Sequence, residues 1–547
     1  MKFLGAILFI ILMFLPFAIF ASPYDMILVS DPVIEDIRFL SLESGRSVLS
    51  FTPPFAPHEI ENFLARIDES SLSAPAKEAY NRVRKRLTPS APLSLSWEIF
   101  SLSLNINAAI EGKARFNTEM DWYPAGPKIP SLLSVPLKLF FADTLQMYFD
   151  PAVSIDPYDY EKDGNFSSNI VFLGDNDIHG NSPFRTFIAA GGSWWNFQLG
   201  RDRLSFGTGL SGNLSIADNP PFYEFMRLSF FSKNFKYSLL VNQSPLILKD
   251  YFYKDLDESK GYLTMTTQRY FYLSRLDFTL FDVLSISLSE GVMAGNSALE
   301  LRYLNPLMIF HNAMTWRDYK NWEADHKDSQ GHMNGSFFSA EINWHIINSL
   351  SFYAQFAMTE LSIGPELDED REVPEAPNAI GLMGGFQYSR SFDTWASIFY
   401  VECIYTSPFL YINPSPFASI IFMHSVEFVH EQKYYYYFGY PRDTFALTAG
   451  AKFFNNDILI INGEFSWISR GEHGKLPIEW DWEKDYSDAP SGTAENNFVL
   501  SAGAEWKVLP YLTLKGTITG IYSQNHKNIS GSDMTGGQAS FTVSFNY

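Results

Sequence analysis

After Pro92 the chain alternates apolar and polar residues with a period of two, and it keeps that rhythm to its last residue. Leu350, Phe352, Ala354 and Phe356 are interleaved with Tyr353 and Gln355, and Ala340, Ile342, Trp344 and Ile346 with Glu341, Asn343 and His345. Such a period sends one set of side chains to each face of a sheet. Phe445, Leu447, Ala449, Ala451 and Phe453 lead through Asn455-Asn456-Asp457 to Leu459, Ile461, Gly463, Phe465 and Trp467, which predicts a hairpin. Phe498 to Val508 forms a further strand and turns at Leu509-Pro510 into Leu512, Leu514, Gly516 and Ile518. At the end, Ala539, Phe541, Val543, Phe545 and Tyr547 alternate with Gln538, Ser540, Thr542, Ser544 and Asn546.

Before Pro92 the period is helical. Val33, Ile34, Ile37 and Leu40, then Ile60, Phe63, Leu64 and Ile67, then Ala79, Tyr80, Val83 and Leu87, recur at three and four residues. Thr88-Pro89-Ser90-Ala91-Pro92 cannot continue a helix and reads as a linker. Residues 22–92 are therefore expected to form a helical subdomain. Met1-Lys2, the apolar run Phe3 to Phe20 and Ala21-Ser22-Pro23 fit an export signal over residues 1–21, a retained anchor helix being the alternative.

Strands of about ten residues, apolar on one face and polar on the other, joined by short turns and long polar loops, match a transmembrane β-barrel over residues 93–547. Allowing about 25 residues per strand and loop gives roughly eighteen strands. The long loops include 363–378 and 470–496. Paired aromatics such as Trp194-Trp195 and the run Tyr434 to Tyr437 suit interfacial girdles. A barrel in lipid can leave no open edge, so the last strand must pair with the first, and the chain ends where the sheet closes. The fold class is thus all-β: a transmembrane antiparallel barrel with a small N-terminal α-helical plug, the alternative being a large soluble all-β protein.

The composition agrees: 46% hydrophobic and 16% aromatic residues with a mean hydropathy of −0.08 leave no room for many helical spans. A net charge of −21 argues against nucleic acid as a partner. One cysteine, Cys403, allows no internal disulfide. Gly207-Thr208-Gly209-Leu210-Ser211-Gly212 has the spacing of a dinucleotide loop but is followed by an extended segment running to Pro220-Pro221. With no helix to receive a pyrophosphate, the glycines are expected to serve a bend or bulge in the wall. No G-x-S-x-G, H-E-x-x-H, phosphate-loop or paired-cysteine motif occurs, so neither catalytic residues nor a cofactor are expected. Asp325, His326, Asp328 and His332 share a polar loop whose spacing matches no defined metal site, which leaves a solvated loop as the plain reading.

Arg227, Asp277, Glu300, Arg302, Glu341, Asn343 and His345 alternate with apolar neighbours and are expected to face the lumen, neutralising one another or lining a path. Arg201 and Arg203 share the parity of Phe197 and Leu199 unless Gly200 introduces a bulge.

Two stretches resemble the Wzi family of capsule-assembly outer-membrane proteins: "QLGRDRLSFGTGLSGNLSIADNPPFYEFMRLSF" at 198–230 and "SEGVMAGNSALELRYLNPLMIFH" at 289–311. The resemblance implies an eighteen-stranded barrel in the outer membrane of a diderm bacterium. It also implies a periplasmic helical bundle at one mouth and a lectin that anchors capsular or other surface polysaccharide. Insertion by the outer-membrane barrel machinery would follow from the aromatic-ended last strand. Candidate sugar contacts are Arg227, Glu300 and Arg302 with Trp316, Trp322, Trp480 and Trp482, whose rings could stack on sugars or pack at the membrane interface. A porin-like channel and a membrane-embedded hydrolase are the competing functions.

Overall fold

A computed structural model describes residues 24–88, 93–97, 99–117, 130–142, 144–155, 166–169, 178–179, 185–244, 246–248, 265–295, 298–310, 334–360, 378–413, 418–426, 432–455, 458–475 and 489–547. The expected signal at 1–21 lies outside them. The three apolar stripes are helices at Val33–Ser44, Pro57–Leu64 and Ala74–Arg86. Gly45, in the left-handed region at φ 64°, ends the first through hydrogen bonds to the Leu42 and Ser41 carbonyls. Ser73 caps the third by accepting from the Ala76 N–H. Ile37, Leu40, Ile60, Phe63, Ala79 and Val83 face one another in a shared core. Among the described residues no helix is long and apolar enough to cross a membrane.

Most of the remainder is one antiparallel wall, with two separate hairpins, Leu246–Leu248 with Met265–Thr267 and Ile421–Val426 with Gln432–Tyr437, outside it. Three of its strands are interrupted: Phe100–Leu104 continues as Asn107–Phe116, Leu133–Ser134 as Leu137–Phe141, and Leu145–Phe149 as Ala152–Ile155. The first pairs with the second, the second with the third, and the third with Thr186–Gly191. From there each wall strand pairs with the next through Trp195–Asp202, Tyr223–Phe231, Phe235–Gln243, Arg269–Leu280, Leu284–Gly295, Asn334–Ile347 and Leu350–Glu360. It continues through Ala379–Phe392, Trp395–Thr406, Thr444–Asn455, Leu459–Arg470, Glu495–Leu509 and Leu512–Gln524 to Met534–Asn546. The free edge of Met534–Asn546 then pairs with Asn107–Phe116, and Tyr547 and Ile106 exchange backbone hydrogen bonds of 2.8 and 2.7 Å. The circuit returns to its start. Counted with each interrupted strand taken as one, the circuit has eighteen members among the described residues, and the short strands Leu93–Trp97, Phe166–Ser168 and Ile178–His179 pair with it as additions.

Alternation sorts the side chains as expected. In Ala379–Phe392 the residues Gln387 and Ser389 are buried inside while Leu382, Phe386 and Tyr388 are exposed outside. In the last strand Thr542 donates inward to Glu111 (2.9 Å) and Phe541 points out. Trp195–Asp202 runs without a register shift, so Gly200 makes no bulge. Arg201 accordingly faces outward, paired with Glu224, and Arg203 lies past the strand, paired with Asp218.

Short turns such as 232–234, 281–283, 348–349 and 393–394 gather at one mouth, and there the helical subdomain sits. Ser47 N–H donates to the Asp282 carbonyl (2.8 Å), Ser349 N–H to Leu42 (2.7 Å), and Phe39 packs edge-on against Phe454 at 5.0 Å.

One segment departs from expectation. Glu300 and Arg302 are not on a strand: Leu301–Leu304 is a 3₁₀ turn in the connection after Leu284–Gly295. The alternation of Leu299, Leu301 and Tyr303 imitates a strand, but Pro306 and the turn bonds Tyr303 N–H to Glu300 O and Asn305 N–H to Arg302 O hold the segment in tight turns. It packs on the outer face of the wall. Tyr303 lies 5.0 Å from Tyr272 and 5.5 Å from Phe310, ring centre to ring centre, and covers outward-facing Tyr272, Val292 and Ala294.

Candidate functional site: the filled lumen and its side cavity

Part of the inner face of the wall is apolar, alongside buried polar side chains. Phe225, Leu240, Phe271, Leu273, Met293, Phe337, Tyr353, Met383 and Ile404 form a core with Leu204, Phe206, Leu214 and Ile216 of the glycine-rich connection and with Leu410, Tyr411, Ile420, Phe438 and Tyr440 of a second loop. A wholly water-lined lumen is therefore not what the sheet encloses. Apolar side chains on the inner face are matched by apolar residues of inward-folded loops, since an unfilled apolar cavity would be costly.

The glycine-rich segment is held by carboxylates of the wall. Thr208 donates to Glu341 through its N–H (2.9 Å) and hydroxyl (3.1 Å). Leu210 and Ser211 N–H groups donate to the two oxygens of Glu402 at 2.6 and 2.8 Å, and the Ser211 and Tyr353 hydroxyls donate to the same carboxylate. Successive amides closing on an anion form the same device as a phosphate-binding loop, here filled by a side chain of the same protein. Gln355 completes the grip, accepting from Leu214 N–H (2.9 Å) and donating to Asn213 Oδ1 (2.7 Å). The bend expected of the glycines thus exists, but it turns the chain into the lumen.

The helical subdomain meets this loop from below. Gly207 N–H donates to Phe51 O (2.9 Å), Ser205 N–H to Pro53 O (3.2 Å), and Arg38 Nη1 to Thr208 O (2.8 Å). From above, Tyr440 N–H donates to Asn213 O and the Tyr411 hydroxyl to Leu214 O, at 2.8 and 2.7 Å. Three chain segments are stacked across the lumen and tied by backbone hydrogen bonds.

Beside this plug a cavity of about 250 Å³ lies between the subdomain and the wall, lined by Ser30, Asp31, Arg86, Asn105, Asn107, Lys138, Tyr148 and Arg185 among others. Arg86 bridges Asp25 (2.8 Å) and Asp31 (2.6 Å), Lys138 also holds Asp25 (2.8 Å), and Arg185 pairs with Asp150 (2.8 Å) over the Tyr148 ring. Burial pushes the Asp25 carboxyl up, but Lys138 and Arg86 outweigh it and hold the group below the usual carboxylate range. Amides and paired ions offer hydrogen bonds to hydroxyls, in a volume near the lower end of small-molecule sites, about 300 Å³.

Arg227 is spent on structure: buried on the wall, it donates to Thr52 O (3.1 Å), Pro54 O and Gln198 Oε1 (3.3 Å) and so clamps the subdomain. Glu300 and Arg302 pair with each other at 2.7 Å on the outer surface, away from the lumen. Trp316, Trp322, Trp480 and Trp482 lie outside the described residues, as do Asp325, His326, Asp328 and His332. Asp277 and Glu341 do face inward, and Arg275 joins them at 2.8 and 2.9 Å. Glu402, absent from the candidates above, lies between outward-facing Val401 and Cys403 and so on the inner face, a signal its parity carries.

No protein-family model matches the chain, and no curated protein matches it. Among solved structures it is similar to Wzi of Escherichia coli, an outer-membrane protein described as a carbohydrate-binding β-barrel involved in group 1 capsule assembly. That likeness has 13% identity and a TM-score of 0.55, and spans 96% of this chain and 99% of that one. Looser likenesses, at TM-scores of 0.41 and 0.39 with 9% identity, link 82% of the chain to OccK3 and OprD of Pseudomonas aeruginosa, covering 95% and 94% of those chains. The chain has the Wzi barrel fold.

Proposed function

From that shared fold we propose that the chain is an outer-membrane barrel that binds surface polysaccharide without catalysis, holding glycan at the cell surface of a diderm bacterium. The observation that carries the reading is full-length agreement with a carbohydrate-binding barrel, joined to a lumen crossed by packed chain. Passage of solutes needs a continuous wet path, and the backbone bonds joining Phe51, Gly207, Asn213 and Tyr440 oppose one. Membrane lipid is the natural partner of the outward apolar belt, which includes Leu199, Leu382, Leu500 and Phe541. An aromatic-ended closing strand suits recognition by the barrel-insertion machinery.

The test is a glycan-binding screen with the intact protein in detergent, paired with deletion in the host. Retention of an acidic or neutral polysaccharide, and loss of surface-attached polysaccharide on deletion, are expected. Unchanged attachment together with an empty screen would overturn the proposal.

A further inference from the structure

On one sector of the wall, side chains that alternation sends outward are nevertheless buried. Tyr237, Leu239, Val241, Tyr272, Val292 and Ala294 all face away from the lumen, yet each is less than a tenth exposed, whereas Leu288, on the same strand as Val292, is 43% exposed. The cover is residues 298–310, whose Tyr303 and Phe310 fill the outer surface of this sector. The segment carries its own apolar face outward: Leu301 is 76% and Leu307 89% exposed, and Ile309 is exposed beside them.

We propose that residues 298–310 form a strap on the membrane side of the barrel that rests at the boundary of headgroups and acyl chains, with Leu301, Leu307 and Ile309 in contact with lipid. The inference rests on reading the barrel as membrane-embedded. Continuity argues for lipid as the occupant, because the strap interrupts an apolar belt that exposes Leu288 below it and Leu199 and Leu382 elsewhere around the wall.

Its backbone is suited to that place, where an unsatisfied amide is expensive. The N–H groups of Glu300, Tyr303, Asn305, Leu307 and Met308 are bonded to the Tyr272 hydroxyl, Glu300 O, Arg302 O, Asn305 Oδ1 and Asn305 O respectively, and Pro306 has no N–H. The Glu300–Arg302 pair keeps the strap's charges together and suits the polar side of the boundary.

Cys403 provides a reference, since it is the chain's one cysteine, faces outward on the wall and is exposed. The wild-type protein labelled at Cys403 with bimane, and Leu307→Cys in a Cys403→Ser background labelled likewise, are reconstituted into vesicles of phosphatidylcholine brominated near the headgroup end of its chains. Both labels are expected to lose most of their fluorescence to the brominated lipid and to resist aqueous iodide. Ile309→Cys gives the same readout should Leu307→Cys not fold. Iodide quenching at 307 with lipid quenching preserved at 403 would overturn the strap proposal alone. So would protection from both quenchers with cross-linking between copies, which would make the strap a protein interface. Absence of lipid quenching at Cys403 would overturn the membrane reading itself, and the strap with it.

Discussion

Glu402 is the residue on which the plug turns. Its carboxylate accepts from two backbone N–H groups and two hydroxyls, and hydrogen bonds to a charged group are each worth about 1.5–3 kcal/mol. Glu402→Ala should weaken anchorage of the glycine-rich segment by roughly 3 kcal/mol or more, about a hundredfold in its opening equilibrium. Hydrogen exchange at Leu210 and Ser211 reads this directly, and unchanged protection would refute the anchoring role. Gly207 makes a second demand: at φ 131° an added Cβ would lie 2.2 Å from Asn213 Oδ1 and 2.4 Å from Gln355 Nε2. Gly207→Ala is therefore expected to cost about 1–3 kcal/mol of local stability. Gly516→Ala, with open space around its Cβ, should leave the melting temperature unaltered, and equal melting of the two variants would contradict the assigned contacts. Parity made the inward direction of Glu341 legible in the sequence, but not its partner. Beside Arg275 on the wall that partner is Thr208, 133 residues away, and nothing local in the chain records the pairing.

Strands and helices were legible because each is written in a repeating period that its burial enforces. The hairpins across 455–457 and at Leu509-Pro510 and the pairing of the closing strand with the first all have the expected form. The two inward-folded loops and the outer strap were not, because such segments carry no period, and at Leu299 to Tyr303 a false one imitates a strand. Within the helical subdomain, Asp25 ties Arg86 of the last helix to Lys138 of the wall. Its carboxyl titrates lower when folded, so the contribution is complete above the ordinary carboxylate value of 3.8 and is lost as pH falls toward the folded value. Acidification below the ordinary value should loosen the subdomain from the barrel, visible as faster proteolysis within residues 24–88 while the barrel stays intact. A subdomain no more sensitive in acid than at neutral pH would show that the Asp25 cluster does not fasten it.

For the whole molecule, closure and filling are separate achievements. The wall closes through the pairing of Met534–Asn546 with Asn107–Phe116, which leaves the last described strand no open edge of its own. The lumen is filled from two directions, by residues 47–56 with the helices behind them and by the loops carrying Gly207 and Tyr411, and the glycine-rich loop has wall anchors at Glu341, Gln355 and Glu402 besides its bonds to the subdomain. Removing one should leave the other in place. Single-channel recording in planar bilayers tests this most directly, with the full chain and with a variant lacking residues 24–88. A barrel that works by binding at its surface predicts no stable conductance steps from the full chain and none of porin size from the truncated one. Stable, porin-sized steps from the full-length protein would contradict it.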